Sequence, residues 1–455
     1  MSPAGSVAGV VQRVLTALPR GGNAFALADQ VASSVSNFVV AAIIARATGP
    51  SGYAGFALAM TVWFLVLGVS RSLVVDPTIL SASRLSGADA VTQMRRGYFS
   101  GLVLSAIVGS TTALIGVGFW LGDRPLVARP ILAFAVALPL LLIQDNTRWQ
   151  SLGLRNGRPA LANDVVFAVV EIAVAAGLFA VGRLTTVTGL LSIAVGARVA
   201  DLYGIRQYQL TRVPPNWRRH AFSMSTTPIW LLVDFAGQWV AGPALLILVA
   251  FQLGTHDTGI FRAMQDVFAP LRLLQLSLTA VLVPAGAAVF AVSGPAPLKG
   301  LVRRGQVALF GVSGLYAVAV GLLGPTLLRH TYGPQFAVSG RWLFVMALSF
   351  VLLAVQLPAA VAMKAAQRMR LLAATRVHLT IPTVIGFLVA TWLFGLRGAI
   401  AAPTVLFVWT VWLIQRRAAR ALQTTPASAV TASYPVVPAP SAPNAERVGL
   451  ITPGN

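Results

Sequence analysis

Cysteine is absent from the 455-residue sequence, so disulfides, thiolate nucleophiles and cysteine-ligated metal sites are all excluded. The four histidines lie far apart and form no pair with metal-ligand spacing, which argues against a catalytic or structural metal. No Gly-x-x-x-x-Gly-Lys-Ser/Thr stretch is present, and this argues against an ATP-driven pump. We therefore expect neither a cofactor nor a metal site.

Charge is also scarce, because only 10% of the residues are Asp, Glu, Lys or Arg, against about 25% in a typical soluble domain. Hydrophobic residues make up 56% of the chain, and the mean hydropathy is +0.78. Apolar runs near the ~20 residues that cross a membrane recur along the chain. They predict an all-α integral membrane protein with about twelve transmembrane helices, at residues 24–45, 53–75, 98–121, 130–147, 161–182, 186–205, 227–250, 263–287, 306–328, 341–363, 371–395 and 397–415.

The net charge of +22 indicates membrane topology rather than nucleic-acid binding, since the basic residues are spread among short connections and form no single patch. Few of them fall between odd-numbered and even-numbered helices, and many fall in the termini and the other connections. Short basic segments stay in the cytoplasm. The pattern predicts a multi-pass protein of the cytoplasmic (plasma) membrane with both termini in the cytoplasm, and hence an even number of helices.

The chain also repeats itself. Asp29 in predicted helix 1 is followed by Gly49, and Asp234 in predicted helix 7 is followed at the same spacing by Gly254. The same difference in residue number therefore separates Asp29 from Asp234 and Gly49 from Gly254. Two six-helix halves, each with an even helix count, enter the membrane from the same side. They are expected to be parallel repeats with a cavity between them.

This organisation predicts five segments along the chain. The last of them is rich in Pro, Ala and Ser and shows no helical period, so we expect it to be disordered. The predicted segments are a cytoplasmic N-terminal segment (1–23), a first six-helix bundle (24–205), a cytoplasmic linker (206–222), a second six-helix bundle (223–417) and a disordered cytoplasmic tail (418–455).

Several stretches resemble sequences of the polysaccharide and O-antigen flippases, a branch of the superfamily that also contains the MATE multidrug exporters. The resemblance extends from residue 24 to about residue 417, and the segment from Arg71 to Asp76-Pro77 fits the same pattern. Lipid II flippases of the superfamily typically have fourteen helices, so twelve helices agree better with the oligosaccharide branch. The matching stretches are Leu27-Ala-Asp-Gln-Val-Ala-Ser-Ser-Val-Ser-Asn-Phe38, Ala45-Arg-Ala-Thr-Gly-Pro50, Gly55-Phe-Ala-Leu-Ala59, Leu327-Leu-Arg-His-Thr-Tyr-Gly-Pro-Gln-Phe336 and Phe394-Gly-Leu-Arg-Gly-Ala-Ile400.

Charged side chains inside a membrane are costly and therefore face a partner or a watery cavity. Depth along a helix follows from its rise of about 1.5 Å per residue. By this measure Asp29 and Arg71 lie at one level and are expected to pair, and Glu171 is within reach of Arg198. We hypothesise that arginines in the cavity attract the diphosphate of a lipid-linked glycan, because guanidinium groups bind phosphate oxygens bidentately. The expected substrate-binding residues are Arg46, Arg71, Arg198 and Arg272, and the expected supporting or ion-coupling residues are Asp29, Glu171, Asp234 and Gln238.

These charges have a structural alternative, in which the pairs only hold helices together and Arg46 extends to the outer headgroups. The resemblance implies a flippase that moves a lipid-linked oligosaccharide by alternating access, with membrane lipids and a polysaccharide polymerase or ligase as partners. The alternative function is a MATE-like, cation-coupled exporter of small molecules. Short outer connections and the lack of an Asp-x-Asp motif argue against a membrane glycosyltransferase, so we expect no enzymatic activity.

Overall fold

The computed structural model describes residues 20–82, 87–153, 157–208, 226–272, 275, 286, 290, 295–366 and 368–424. Within these residues all regular secondary structure is helical, and nine helices are long and apolar enough to cross a membrane. This confirms the predicted all-α membrane fold. Most of the predicted linker (209–222), the N-terminal segment up to residue 19, much of predicted helix 8 and the tail beyond residue 424 lie outside the described residues.

Three of the nine apolar helical spans, Val31–Ile79, Leu232–Asp266 and Met369–Gln423, are interrupted by non-helical backbone. Each is broken by one glycine with a positive φ, namely Gly49 (69°), Gly254 (79°) or Gly395 (60°). At Gly395 the chain folds back, because Gly398 lies directly against the carbonyl oxygen of Ala390. Each of these spans is therefore divided into two helices, which gives twelve helices among the described residues.

The twelve helices carry the numbers α1 to α12 in chain order. Those for which the structure has uninterrupted bounds are α3 (Gly87–Leu121), α4 (Pro125–Gly153), α5 (Gly157–Ala180), α6 (Thr186–Tyr208), α9 (Pro295–Thr331) and α10 (Gly340–Ala365). The broken spans give α1 (20–48), α2 (50–82, with a π-helical turn at Arg71–Val75), α7 (226–253, with a turn at 241–244), α8 (255–266, with a further turn to residue 272), α11 (369–394) and α12 (396–424).

Every connection from an odd to an even helix contains one residue with a positive φ. Besides Gly49, Gly254 and Gly395, these residues are Asp123, Gly182 and Gly333, and the described residues contain no other positive φ. Such a conformation is strained for most side chains and natural for glycine, so it permits a reversal within very few residues. We call this side of the molecule the turn end and the opposite side the basic end.

The two predicted repeats share a backbone feature. Gly49 has φ 69° and ψ −179°, and Gly254 has φ 79° and ψ −177°, so the first turns of the two halves have nearly the same conformation. Helices α1–α6 pack against one another, as do α7–α12, and the main contacts between the halves join α1 and α2 to α7, α8 and α9. The constant shift in the sequence therefore corresponds to a structural repeat.

The halves approach most closely where α2 meets α8. A Cβ atom added to Gly259 would lie 1.9 Å from the carbonyl oxygen of Pro50, so the two backbones touch with no side chain between them. Farther from the turn end, the ring of Phe235 in α7 fills the space beside Gly68 in α2. Small residues at these positions set the distance between the halves.

Candidate functional site

A buried charge cluster joins α1, α4 and α5 near the basic end. The Nε atom of Arg148 lies 2.9 Å from Asp29 Oδ2 and 3.0 Å from Asp164 Oδ2, and all three side chains are almost fully buried. One arginine thus faces two carboxylates, so the group carries a formal charge of −1 when all three are ionised. Burial of three charges is tolerable only because they lie against one another.

Two amides complete this first-half cluster, which we define as Asp29, Gln144, Arg148, Asn163 and Asp164. Gln144 Nε2 donates to Asn163 Oδ1 at 3.0 Å and to Asp164 Oδ1 at 2.9 Å. Asn163 Nδ2 donates in turn to the carbonyl oxygen of Ala200 in α6 at 2.6 Å. The cluster therefore ties together four helices of the first half.

Arg71 lies at the π-helical turn of α2, a local widening of the helix that is frequent at functional sites. Its Nη2 atom is 2.7 Å from Asp145 Oδ1, and its guanidinium lies 4.9 Å from the ring centre of Trp149. One-third of the Arg71 side chain stays exposed. Arg71 is thus held on α4 and still accessible to a ligand.

The predicted pair of Asp29 with Arg71 is wrong, since Asp29 pairs with Arg148 and Arg71 pairs with Asp145. The reason is the length of α4. It was expected to end at residue 147, but it continues to residue 153. Asp145 and Arg148 therefore lie on successive turns inside the bundle and satisfy both charges.

The predicted contact of Glu171 with Arg198 is also wrong. Arg198 Nη1 lies 3.1 Å from Asp201 Oδ2, and 52% of the Arg198 side chain is exposed. Glu171 is 1% exposed, and neither of its carboxyl oxygens has a hydrogen-bond partner among the described residues. The nearby Ser36 hydroxyl donates instead to the backbone of its own helix, α1. Gly196 of α6 packs against the Glu171 side chain, which seals this carboxyl between α5 and α6.

A second charge cluster joins α7, α10 and α11. Asp234 Oδ2 lies 3.8 Å from Lys364 Nζ, and Asp234 Oδ1 lies 3.6 Å from Arg376 Nε. Gln238 Nε2 donates to Asp234 Oδ2 at 3.0 Å, as expected for residues one helical turn apart. We define these four residues as the second-half cluster, which carries a formal charge of +1.

The cations of this cluster are held loosely. Asp234 Oδ1 and Arg376 Nε are buried without a hydrogen-bond partner in the described part of the chain, because 3.6 Å is too long for a hydrogen bond. Lys364 has 31% of its side chain exposed. The second-half cluster therefore has donors to spare, which the first-half cluster lacks.

The two clusters occupy corresponding places in the two halves. Asp29 and Asp234 are separated by the shift of the repeat, and their partners come from α4 and α5 in one half and from α10 and α11 in the other. The formal charge nevertheless differs in sign, at −1 in the first half and +1 in the second. The two halves therefore place charged residues at corresponding positions, but the net formal charge of the clusters is opposite in sign.

A third polar group lies nearer the turn end and crosses between the halves. The hydroxyl group of Tyr53 in α2 donates to Asp266 Oδ2 in α8, and the Tyr332 hydroxyl lies 3.3 Å from the same oxygen. Arg262 Nε lies 3.0 Å from Asp266 Oδ1. We call these four residues the outer cluster.

Further contacts close the halves around the outer cluster. Arg46 Nη1 donates to the carbonyl oxygen of His330 at 3.0 Å, and the ring of Phe38 meets Tyr332 edge to face. Arg272 Nη2 lies 4.0 Å from Asp266 Oδ1, and 39% of its side chain is exposed. At the turn end, α1 and α2 are therefore fastened to α8 and α9 by polar and aromatic contacts together.

Sequence reasoning identified Asp29, Asp234 and Gln238 as members of polar groups, and the structure brings them into the two clusters. It missed other members. Four of the missed residues are charged and fall inside predicted helices, a signal comparable to that of Arg71, namely Asp145, Asp164, Asp266 and Arg376. The remaining residues gave no distinct signal. The members missed are Tyr53, Gln144, Asp145, Arg148, Asn163, Asp164, Arg262, Asp266, Tyr332, Lys364 and Arg376. The described residues contain no group of three His, Asp or Glu side chains able to hold a metal ion.

Comparison with known proteins shows the fold. No protein-family model and no curated protein matches the sequence. An inward-facing MATE multidrug-resistance transporter of the MOP superfamily is similar, with a TM-score of 0.69 and 13% identity over 87% of this chain and 96% of that one. An outward-facing MATE transporter has a TM-score of 0.62 and 12% identity over 93% and 99%. This chain therefore has the fold of the MATE transporters.

A third solved structure differs in its pocket. It is a MOP superfamily transporter from Pyrococcus furiosus, whose binding pocket is described as having reverse polarity that suggests a different function. Its TM-score is 0.63, with 11% identity over 90% of this chain and 96% of that one. Identities this low show a common architecture and leave the transported compound to be inferred from this chain's own residues.

Proposed function

We propose that the chain is an alternating-access exporter that moves a lipid-linked oligosaccharide from the cytoplasmic to the outer leaflet of the plasma membrane. Both termini would lie in the cytoplasm, as the distribution of basic residues predicts. The observation that carries the proposal is the arrangement of charge along the membrane normal. The outer cluster joins the halves near the turn end, and the two half clusters lie toward the opposite end.

Contacts that close the turn end are expected in an inward-facing transporter, in which the Phe235–Gly68 contact nearer the basic end would have to separate as well. The higher TM-score against the inward-facing relative, 0.69 against 0.62 for the outward-facing one, agrees with this assignment. Export would require the Tyr53–Asp266 contact to break and the halves to separate there. In this scheme the outer cluster is the gate on the far side of the substrate.

The diphosphate of the substrate would bind to the second-half cluster. Lys364 and Arg376 have donors that Asp234 leaves unused, and Arg71 and Arg272 are partly exposed on the flanking helices α2 and α8. A diphosphate is multiply anionic and accepts bidentate hydrogen bonds from guanidinium groups. The reversed pocket polarity described for the Pyrococcus transporter is a precedent for a change of pocket charge within this fold.

Coupling would lie in the first half. Glu171 is buried without a hydrogen-bond partner in the described part of the chain, so a proton on its carboxyl avoids the cost of an isolated charge in the membrane. Asp29 and Asp164 compete for one arginine, which makes their share of the Arg148 guanidinium sensitive to the position of α4. Uptake or loss of a proton at these carboxyls would bias the two conformations.

A second candidate function is a MATE-like, cation-coupled exporter of small molecules. The first-half cluster favours it, because its formal charge of −1 suits a cationic substrate. Two observations favour the oligosaccharide instead: the net positive second-half cluster and the exposed arginines. The two functions differ in the charge that the substrate must carry, and that difference can be measured.

The test uses the full-length protein in proteoliposomes that contain a fluorescent polyprenyl-diphosphate oligosaccharide. Transport is measured as glycan that becomes accessible to a membrane-impermeant lectin. The variant Asp234→Asn/Lys364→Gln/Arg376→Gln removes the cations without leaving a buried carboxylate unpaired, and we expect transport to fall at least ten-fold. The control Arg329→Gln/Arg397→Gln likewise removes two basic side chains, at exposed arginines near the turn end, and it should transport normally.

Two outcomes contradict the proposal. If the wild type transports a cationic dye and not the glycan, the chain is a small-molecule exporter. If the triple variant transports the glycan as fast as the control does, the second-half cluster is not the diphosphate site. Thermal unfolding of both variants in detergent serves as the check on structure. A variant that unfolds at the wild-type temperature but does not transport has lost substrate binding rather than its fold.

A further inference from the structure

A separate cleft opens between α9, α10 and α12 at the basic end. Its volume is about 160 Å³. Lys299, Arg303 and Gln306 line one wall at spacings of four and three positions, so they share one face of α9. Gln415 of α12 lies on the opposite wall, and the floor consists of small alanine side chains such as Ala362. The cleft thus presents two cations and two amides over an apolar base.

The cations of this cleft have no acidic partner among the residues that the structure describes. The sequence contains no Asp or Glu between Asp266 and Glu446, so helices α9–α12 carry no acidic residue at all. Asp234 and Asp266 serve other cations, and no ion pair to Lys299 or Arg303 occurs among the described residues. Two neighbouring cations repel each other, so an anion bound between them is favoured.

The position of the cleft relative to the membrane follows from the aromatic residues beside it. Trp409 and Trp412 are exposed on α12 and stack at 4.8 Å, and the guanidinium of Arg416 lies 5.1 Å from the ring of Trp412. Exposed tryptophans collect at the headgroup level of a bilayer. The adjoining turn of α12, which contains Gln415, therefore lies at that level too.

The surface on the membrane side of the cleft is apolar. Val307 and Phe310 of α9 are strongly exposed, as are Val405 and Val408 of α12. On both helices the change from exposed apolar to basic residues occurs at the level of the cleft. A ligand that fits this arrangement has a negatively charged head and a hydrocarbon tail.

We infer that the cleft binds the phosphate of an anionic phospholipid, whose acyl chains lie along the exposed apolar side chains of α9 and α12. Basic pockets between transmembrane helices commonly bind such headgroups. The lipid supplies the counter-charge that the acid-free helices α9–α12 lack. This site is distinct from the second-half cluster, and it does not depend on which compound the protein transports.

The test measures lipid binding by the full-length protein in nanodiscs, by native mass spectrometry and by titration of phosphatidylglycerol into phosphatidylcholine discs. The variant is Lys299→Gln/Arg303→Gln, and the charge-matched control is Arg183→Gln/Arg397→Gln, at exposed residues near the turn end. Each basic side chain contributes about five-fold to the binding of an anionic lipid. We expect about a 10- to 30-fold loss of phosphatidylglycerol affinity in the variant and little change in the control.

Three further arms make the result decisive. Phosphatidylcholine should bind equally to all three proteins, and millimolar inorganic phosphate should not displace the lipid, because it lacks the hydrocarbon tail. Should phosphate alone bind with the affinity of the lipid, the site is a free-anion site and the inference is wrong. It is equally wrong if the variant retains phosphatidylglycerol like the control. A Lys299→Arg/Arg303→Lys variant keeps both charges and should bind as the wild type does.

Discussion

At the residue scale, burial of charge is the feature that the sequence reveals best and pairing is the feature that it reveals least. Asp29 and Asp234 were recognisable because a carboxylate within an apolar run must have a partner. Their partners were not recognisable from the sequence. Helix rise gives the depth of a residue along the membrane normal, but it does not give the direction in which the side chain points around the helix axis. Arg148 was assigned to a connection because a run of polar residues follows Ile143, and this run extends α4 instead of ending it.

We expect Arg148→Ala to be among the most destabilising substitutions in the first half. It leaves Asp29 and Asp164 buried without their shared counter-charge, and loss of one partner from a buried ion pair costs about 3–5 kcal/mol. The measurement is thermal unfolding in detergent. Arg329→Ala is the control, because that side chain is exposed and forms no ion pair among the described residues, so its loss should change the stability by no more than about 0.5 kcal/mol. The combined variant Asp29→Asn/Arg148→Gln/Asp164→Asn should regain most of the lost stability, and its failure to do so would argue against a purely electrostatic effect.

Glu171→Gln tests the proposed coupling. The amide mimics a protonated carboxyl permanently, so the protein should fold and bind substrate while transport loses its response to an imposed pH gradient. Transport into proteoliposomes with and without a gradient measures this. The control is Gln252→Glu, which adds a carboxyl group at an exposed residue near the turn end. Gln144→Glu is unsuitable because it alters the first-half cluster. A gradient response that survives in Glu171→Gln removes this carboxyl from coupling.

At the scale of helices, hydropathy predicted the all-α membrane fold with about twelve helices, and most of predicted helix 8 lies outside the described residues. The bounds differ where a helix leaves the membrane. The third helix begins at Gly87 rather than residue 98, and the ninth begins at Pro295 rather than residue 306. These added turns contain Arg and Lys, so an apolar window ends before the helix does. Hydropathy reports the part of a helix inside the bilayer, and backbone hydrogen bonding continues beyond it.

The positive-φ turns make a prediction about glycine. Gly254→Ala forces an alanine into φ 79° with ψ −177°, a region that is open essentially only to glycine, and should cost about 1–3 kcal/mol. Nothing lies within 4 Å of the position where its Cβ would be, so the cost is conformational rather than steric. Gly311→Ala is the control, because its added methyl group also meets open space but its backbone is helical. It should leave the midpoint of thermal unfolding unchanged or raise it. Equal effects of the two substitutions would contradict the turn assignment.

At the scale of the whole molecule, the sequence predicted two parallel repeats with a cavity between them, and it did not predict which residues join the halves. The repeat was visible because matched residues recur at a constant shift. The contacts between the halves gave no signal, since Tyr53, Gly68 and Gly259 are unremarkable residues within apolar helices. The inverted charge balance of the two half clusters likewise depends on which side chains meet, and a list of charges does not give it.

The outer cluster can be tested as a contact between halves. Tyr53→Phe removes the hydroxyl group that donates to Asp266, and we expect it to increase the population in which the turn end is open. Because the chain has no cysteine, spin labels at Ala47→Cys and Ala337→Cys, exposed positions of the two halves, report this distance without background. Tyr316→Phe is the matched control, since its hydroxyl group donates within the second half, to the carbonyl oxygen of Val267. An unchanged distance distribution in Tyr53→Phe would show that this hydrogen bond does not hold the gate.

The contact of Gly259 with Pro50 has a mechanical consequence. Two backbones that touch directly have no rotamers with which to absorb a small displacement, so the joint is stiff under compression and gives way only by separating. We therefore expect it to serve as the pivot about which the two halves rotate. As long as Gly259 contacts Pro50, the halves would tilt about this contact and separate at the basic end. Loss of the contact would allow them to separate at the turn end.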